Sequence, residues 1–302
     1  MIPKKKGPWC PPSSALRLVD GLWRPAAPRG NVSYPDEGND FFEKIEHASF
    51  WFQHRNHFIL EAVRRFFSGG YFYDIGGGNG IVAQALEGAG VSTVVIEPGR
   101  GALHAKNRGL PRVIQSTLEE TCFREGSLDA VGCFDVMEHL EEDALFCRNL
   151  FSLLKPQGSF FCTVPAGRWL WSEDDVAAGH FRRYSKIRLE SVLREAGFKI
   201  HFTTHFFCWM ALPLFFVRSL PTWFRFKKRP DFAHLSPSES GHLLPKPMQA
   251  PVSLFHDWEL ARIQAGRSME IGTSLLVVAM KPAEASPDFV AGAKGRIFPV
   301  HN

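Results

Sequence analysis

The chain has 302 residues, enough for one large domain with a substantial core, and its 45% apolar and 22% charged content is that of a globular protein rather than a disordered or fibrous one. A formal net charge of +4 is too small to imply a nucleic-acid partner. Cys10, Cys122, Cys133, Cys147, Cys162 and Cys208 show neither C-x-x-C spacing nor the density of a disulfide scaffold, which favours reduced thiols in a cytoplasmic compartment.

Residues 1–36 are rich in Pro, Gly, Ser and Arg without periodicity, which predicts a mobile N-terminal arm. Its Lys4-Lys5-Lys6 is followed by Gly7-Pro8-Trp9-Cys10-Pro11-Pro12, where an export signal needs a continuous apolar segment, so no export is expected. A folded core is expected over 37–205. Between Asp40 and Phe67, apolar residues at helical spacing (Ile59, Leu60, Val63, Phe66, Phe67) predict a helix that Gly69-Gly70 stops.

Tyr71-Phe72-Tyr73-Asp74-Ile75 is an apolar run carrying an acid near its end, and it breaks into Gly76-Gly77-Gly78-Asn79-Gly80 ahead of a helix from Ile81. A strand, a glycine turn and a helix N-terminus let backbone approach a nucleotide-like ligand closely. Gly78-Asn79-Gly80-Ile81-Val82-Ala83 also satisfies the dinucleotide pattern G-x-G-x-x-G/A, so the glycines alone leave the ligand open.

Further strands are expected at Val91 to Ile96, Arg112 to Gln115, Leu128 to Phe134, Ser159 to Val164, Lys199 to Thr204 and Thr273 to Met280. Helices around Ala102 to Asn107, Glu141 to Leu154 and Lys186 to Glu195 separate them. This alternation predicts an α/β fold: a Rossmann-like, doubly wound, mostly parallel seven-stranded sheet with helices on both faces and a ligand at the carboxyl ends of the strands.

Acids stand at those ends. Asp74 would repel a pyrophosphate and attract a cationic amino-acid tail, although a helix cap is an equal alternative. Glu97, about 20 residues after the glycine turn, can accept hydrogen bonds from both hydroxyls of a ribose. The fourth strand runs directly into Phe134-Asp135-Val136-Met137-Glu138-His139-Leu140.

With that element the sequence resembles the class I S-adenosylmethionine-dependent methyltransferases, in the small-molecule branch labelled type 11 or 12. The resemblance implies that Asp74, Gly76 and Gly78 hold the methionine part of S-adenosylmethionine, that Glu97 holds its ribose and that Asp135 lies beside the sulfonium; the family's acid after the third strand is missing here, so a hydroxyl of Ser116 or Thr117, or the backbone at Leu118, is expected at the adenine. Asp175-Val176-Ala177-Ala178-Gly179-His180-Phe181-Arg182-Arg183-Tyr184 resembles the D-x-x-x-G-H-x-R-R-Y segment of a bacterial subgroup. It implies an acceptor site built from His180, Arg182, Arg183 and Tyr184; ion pairing of Arg182 with Asp174 or Asp175 and packing of Tyr184 is the bland alternative. His139 and His180 are the candidate general bases, Asp135 completes the catalytic set, and no metal site is expected.

Residues 206–269 form an insertion ahead of the last core strand, expected within 270–282, with a tail over 283–302. Phe206 to Val217 carries no charge, yet as a helix it spans roughly 18 Å, too short to cross a bilayer. Aromatic residues interleaved with Arg218, Arg225, Lys227, Lys228 and Arg229 follow. That composition suits a membrane interface at the inner face of the membrane, a cap over an apolar acceptor, or a dimer contact. The leading expectation is methyl transfer to an oxygen or nitrogen of an apolar, lipid-linked small molecule. A nicotinamide-dependent oxidoreductase and a non-catalytic scaffold are the alternatives.

Overall fold

In a computed structural model of the protein, residues 9–26, 43, 45–224 and 246–283 are described. The strands β1 (Leu16–Val19), β2 (Leu22–Pro25), β3 (Tyr71–Ile75), β4 (Ser92–Ile96), β5 (Val113–Ile114), β6 (Leu128–Phe134), β7 (Leu154–Pro165), β8 (Lys199–Phe206) and β9 (Ser274–Met280) form one sheet. Their order is β1-β2-β5-β4-β3-β6-β7-β9-β8. The run from β2 to β7 is parallel, whereas β9 pairs antiparallel with both β7 and β8. The seven expected strands are all present, and the fold is the expected α/β class.

Two further strands come from the expected mobile arm, which is a correction. Within 1–36, residues 16–25 form an antiparallel hairpin whose Trp23 pairs with Ile114 on β5. The arm lacks apolar alternation because only Leu16 and Leu22 of the hairpin are buried. Aromatic contacts anchor it instead: the Trp9 ring meets Trp23 edge-on at 5.9 Å and Tyr71 at 6.3 Å. Gln115 N donates to Trp23 O at 2.8 Å and Arg24 Nε donates to Gln115 Oε1 at 2.9 Å.

Helices cover the sheet as α1 (Phe50–Phe66), α2 (Ile81–Gly88), α3 (Gly101–Asn107), α4 (Asp143–Leu153), α5 (Glu173–Ala177), α6 (Lys186–Glu195) and α7 (Lys246–Gln264). Ser49 caps α1 by accepting from Phe52 N, and α1 lays Phe58, Ile59, Ala62 and Val63 onto Phe72. Alternation along β3 sends Tyr71, Tyr73 and Ile75 to the opposite face, among residues of α4 and α6. Asp74 therefore shares the α1 side with Phe72.

The insertion begins later than expected, since Phe206 still belongs to β8. A 3₁₀ turn at Cys208–Met210, an α turn at Ala211–Leu214, a π turn at Phe215–Ser219 and an α turn at Leu220–Trp223 follow without a break. Pro213 is tolerated because it lies in the first turn of its α segment, where a missing N–H costs little. The basic cluster Arg225, Lys227, Lys228 and Arg229 and most of the tail lie outside the described residues.

Both ends of the insertion are fastened together. Glu259 on α7 is fully buried; its carboxylate accepts from Phe207 N at 3.0 Å and Cys208 N at 2.6 Å and lies 2.7 Å from His54 Nε2. Thr273 N donates to Phe206 O at 3.1 Å. A Cβ on Gly272 would stand 2.2 Å from that same oxygen, so the returning chain passes this close only as glycine.

Candidate active site

The carboxyl ends of β3, β4, β5, β6 and β7 open into a cavity of about 590 Å³. One end is lined by Asp74, Gly76, Gly78 and Glu97, with Thr117, Leu118 and Asp135 along it; the other by His139, His180 and Arg183 beneath Met210, Leu214 and Arg218 of the insertion. Every expected cofactor residue thus lines one continuous space, and of the expected acceptor residues His180 and Arg183 reach it.

Two glycines shape the first end. Gly76 takes φ +67°, and a Cβ there would stand 2.6 Å from Val136 Cγ2. Gly78 takes φ +51° with nothing within 4 Å of a Cβ position, so its backbone borders open space. The Glu97 carboxylate accepts from Gly78 N at 3.0 Å and Gly99 N at 2.8 Å, which ties the end of β4 to the glycine turn.

Asp74 is 1% exposed and its Oδ2 has no hydrogen-bond partner. Burial pushes its carboxyl up to about 7; Arg55 opposes the rise and Glu97 adds to it. A buried carboxyl with a bare oxygen is able to receive a cationic donor.

Arg55, on α1, is the principal residue that sequence reasoning missed. Its Nε donates to Asp135 Oδ2 and its Nη2 to Phe134 O at 3.0 Å. It stands on the same helical face as Phe58, Ile59 and Ala62, and a lone cation on an apolar stripe is the signal that marks it. Asp135 takes φ +56°, an uncommon conformation for a side chain outside glycine. Arg55, Thr163 Oγ1 donating at 3.2 Å, and the Asp135 N–H donating to Thr163 O at 2.9 Å hold it there.

At the far end, His180 Nδ1 lies 2.9 Å from Asp175 Oδ1, which also accepts from Arg183 Nε at 2.8 Å. Burial alone raises the Asp175 pKa, but the His180 hydrogen bond and the Arg183 charge outweigh it and hold the carboxyl below its usual range. His139 meets His180 edge-on at 4.8 Å; burial and then the His180 charge push it down to about 4. Glu138 is 1% exposed with Oε2 unpartnered, and burial followed by the Asp135 charge raises its carboxyl well above the usual range. Folding also brings together three groups of the kind that can ligate a metal. Ligating atoms of Glu138, His139 and His180 lie within 4.8 Å of one another.

Two expected acceptor residues are displaced from that role. Tyr184 is fully buried, donating through its hydroxyl to Asp143 Oδ2 at 2.9 Å, and burial followed by the Asp143 charge raises its pKa. Arg182 pairs with Asp143 at 2.8 Å and donates to Glu141 O, outside the cavity lining. The motif's last residues fasten the loop to α4 because a buried Asp143 needs donors, and Tyr184 and Arg182 supply them.

The insertion closes over this loop. Arg218 pairs with Asp174 at 3.1 Å, Glu173 N donates to Thr222 Oγ1 at 3.3 Å, and the Trp169 and Phe215 rings are 5.4 Å apart. Leu212, Phe216, Val217, Trp223 and Phe224 are each more than half exposed.

Residues 51–202, just over half the chain, match the family described as methyltransferase domain. Ubiquinone biosynthesis O-methyltransferase of Vibrio parahaemolyticus is 30% identical over 118 residues, covering 36% of this chain and 50% of that protein. Its counterpart from Acinetobacter baumannii strain AYE is 31% identical over 100 residues, covering 30% of this chain and 42% of that protein. The chain therefore spans about half the length, or less, of these relatives. Among solved structures, a possible histamine N-methyltransferase from Thermotoga maritima superposes with a TM-score of 0.52 at 18% identity, covering 81% of this chain and 98% of that one. Haemonchus contortus phosphoethanolamine N-methyltransferase 2 bound to S-adenosylmethionine gives 0.51 at 19% identity, covering 85% and 61%. At such identities the likeness is one of fold.

Proposed function

The chain belongs to the methyltransferase-domain family, and on that premise we propose that it is an S-adenosylmethionine-dependent methyltransferase acting on an oxygen of an apolar, lipid-linked small molecule. The observation that carries the reading is the buried, unpartnered Oδ2 of Asp74 at one end of a cavity whose other end lies under an apolar cap. The residues fit the cofactor: Asp74 suits its ammonium, the open space at Gly78 admits its amino-acid tail, Glu97 at the end of β4 would accept from ribose hydroxyls, and Thr117 and Leu118 line the cavity where adenine would lie. S-adenosylmethionine supplies an electrophilic methyl on a sulfonium.

The chain's own part is to align and to move one proton. Methyl transfer is an in-line displacement, so holding donor and acceptor in register does most of the work. Asp135, fixed by Arg55 and Thr163, would present negative charge to the sulfonium of the bound cofactor. A hydroxyl acceptor must lose a proton, and His180, oriented by Asp175, is the leading base, with His139 beside it. Relatives named as O-methyltransferases support oxygen over nitrogen. Met210 and Leu214 on the inner side of the insertion suit an apolar acceptor.

The outer side, with Leu212, Phe216, Val217, Trp223 and Phe224 exposed ahead of a basic sequence, suits attachment to an anionic membrane surface from the cytoplasm. No helix among the described residues is long and apolar enough to cross a membrane. A labelled methyl-transfer screen over lipid and aqueous extracts tests the acceptor: label in the lipid fraction is expected, and label confined to the aqueous fraction overturns the lipid-linked assignment. Calorimetry with S-adenosylhomocysteine and with NAD tests the class, and binding of NAD alone would sink it. Sedimentation with anionic vesicles, reduced in Phe216→Asp/Trp223→Asp, is expected of the surface reading; wild-type protein that stays wholly in the supernatant refutes it.

A further inference from the structure

Glu138 and His139 come from the turn after β6, and His180 from the loop after α5, yet their ligating atoms converge within 4.8 Å on the wall of the proposed acceptor site. Two ligands sharing a zinc-like ion at about 2 Å each stand roughly 3–4 Å apart, so small side-chain rotations close the set. A merely structural cluster would satisfy its own members. This one does not: Glu138 is buried with Oε2 bonded to nothing, and it lies close enough to Asp135 to feel that second carboxylate. Arg55 and Arg183 act on it through charge, yet neither is hydrogen-bonded to it, so a cation that reaches Oε2 directly gains a ligand and displaces the carboxyl proton.

Each imidazole is also held from behind. Asp175 takes Nδ1 of His180, which leaves Nε2 for a ligand, and one ring nitrogen of His139 bonds to the Gly179 backbone. A carboxylate or carbonyl behind a histidine is the usual way a metal-binding imidazole is fixed in tautomer and orientation.

We propose that Glu138, His139 and His180 form a binding site for a divalent first-row transition-metal ion, with zinc the best match to two imidazoles and one carboxylate, and that the ion receives the acceptor's oxygen. Three protein ligands leave a coordination position open. A hydroxyl in that position ionises at lower pH than a free one, its proton passing to solvent. The site would then take over the task assigned above to a histidine base, since one lone pair of His180 cannot serve both roles. This catalytic use rests on the methyltransferase reading; the site itself does not.

The test uses full-length protein stripped with chelator and titrated with Co²⁺, whose visible absorption reports a low-symmetry nitrogen and oxygen site. The expected result is a saturable band at a single equivalent that Zn²⁺ abolishes. Glu138→Gln and His180→Ala each weaken it by at least about tenfold, and Asp175→Asn, which leaves all three ligands in place, by about 10–100-fold. His201→Ala, an exposed imidazole on β8, leaves the titration unchanged. Absence of a band in the wild type, or a band undiminished in both ligand variants, overturns the site. Binding of S-adenosylhomocysteine is measured in parallel on the wild type. Such binding without a cobalt band removes the metal and leaves the methyltransferase reading standing, whereas a band without it keeps the metal and removes that reading.

Discussion

A pH series of S-adenosylhomocysteine affinity, run on the wild type and on Asp74→Asn, tests the seat assigned to the cofactor's ammonium group. Burial pushes the free Asp74 carboxyl up to about 7, against the opposing charge of Arg55 and with help from Glu97. A cationic amino group beside it favours the carboxylate, so its pKa falls on binding and ligand and proton compete. The sign follows from the direction of that change. Affinity is full above the free-state value and declines as pH falls through it. If only the carboxylate binds, the dissociation constant rises about tenfold per pH unit below about 7 and roughly 25-fold between about pH 7.5 and about pH 5.5, or about 1.9 kcal/mol. Isothermal calorimetry reads this directly. Asp74→Asn, neutral at every pH, is expected to bind more weakly at pH 7.5 and to lose the slope. A flat profile in the wild type, or an unchanged slope in Asp74→Asn, refutes the reasoning.

Arg55→Ala leaves Asp135 without its guanidinium partner and removes a donor from Phe134 O, so urea denaturation is expected to show a loss of about 3 kcal/mol. A loss below about 1 kcal/mol would mean that Thr163 and solvent suffice to hold Asp135. Tyr184→Phe deletes the hydroxyl that serves the buried Asp143, and stability should fall by about 1–3 kcal/mol while S-adenosylhomocysteine affinity stays unchanged. Altered acceptor KM with unaltered stability would return Tyr184 to the acceptor site.

The strand ends were legible in the sequence because each is a local event. Asp74 with its glycines and Glu97 after β4 are fixed within a few residues of the motif that betrays them. Arg55 was not legible, because its partner Asp135 is 80 positions away and the helix carrying it reads simply as amphipathic. The hairpin at 16–25 escaped because two buried leucines make no period, and its anchoring rings meet only after folding. Tyr184 and Arg182 misled in the opposite direction: polar residues in a motif suggest ligand contact, whereas the need they answer is that of a buried aspartate on another helix. Of the Glu138, His139 and His180 grouping only the first two are neighbours in sequence; folding of the α5 loop against the end of β6 brings His180 to them.

The fastening of Phe206 to Thr273, with Glu259 gathering Phe207, Cys208 and His54, gives the insertion the character of an interchangeable cassette. Because its two ends are joined by their own hydrogen bonds, the conformational cost of closing what lies between rises only slowly with length, by about 0.6 kcal/mol for each doubling. Segments of different size and chemistry can therefore be mounted on the same two posts while the carboxyl ends of β3 and β4 stay untouched. Choice of acceptor and retention of cofactor would then vary independently, and a chimaera that exchanges only the stretch between Cys208 and Trp258 is the natural way to redirect one without losing the other.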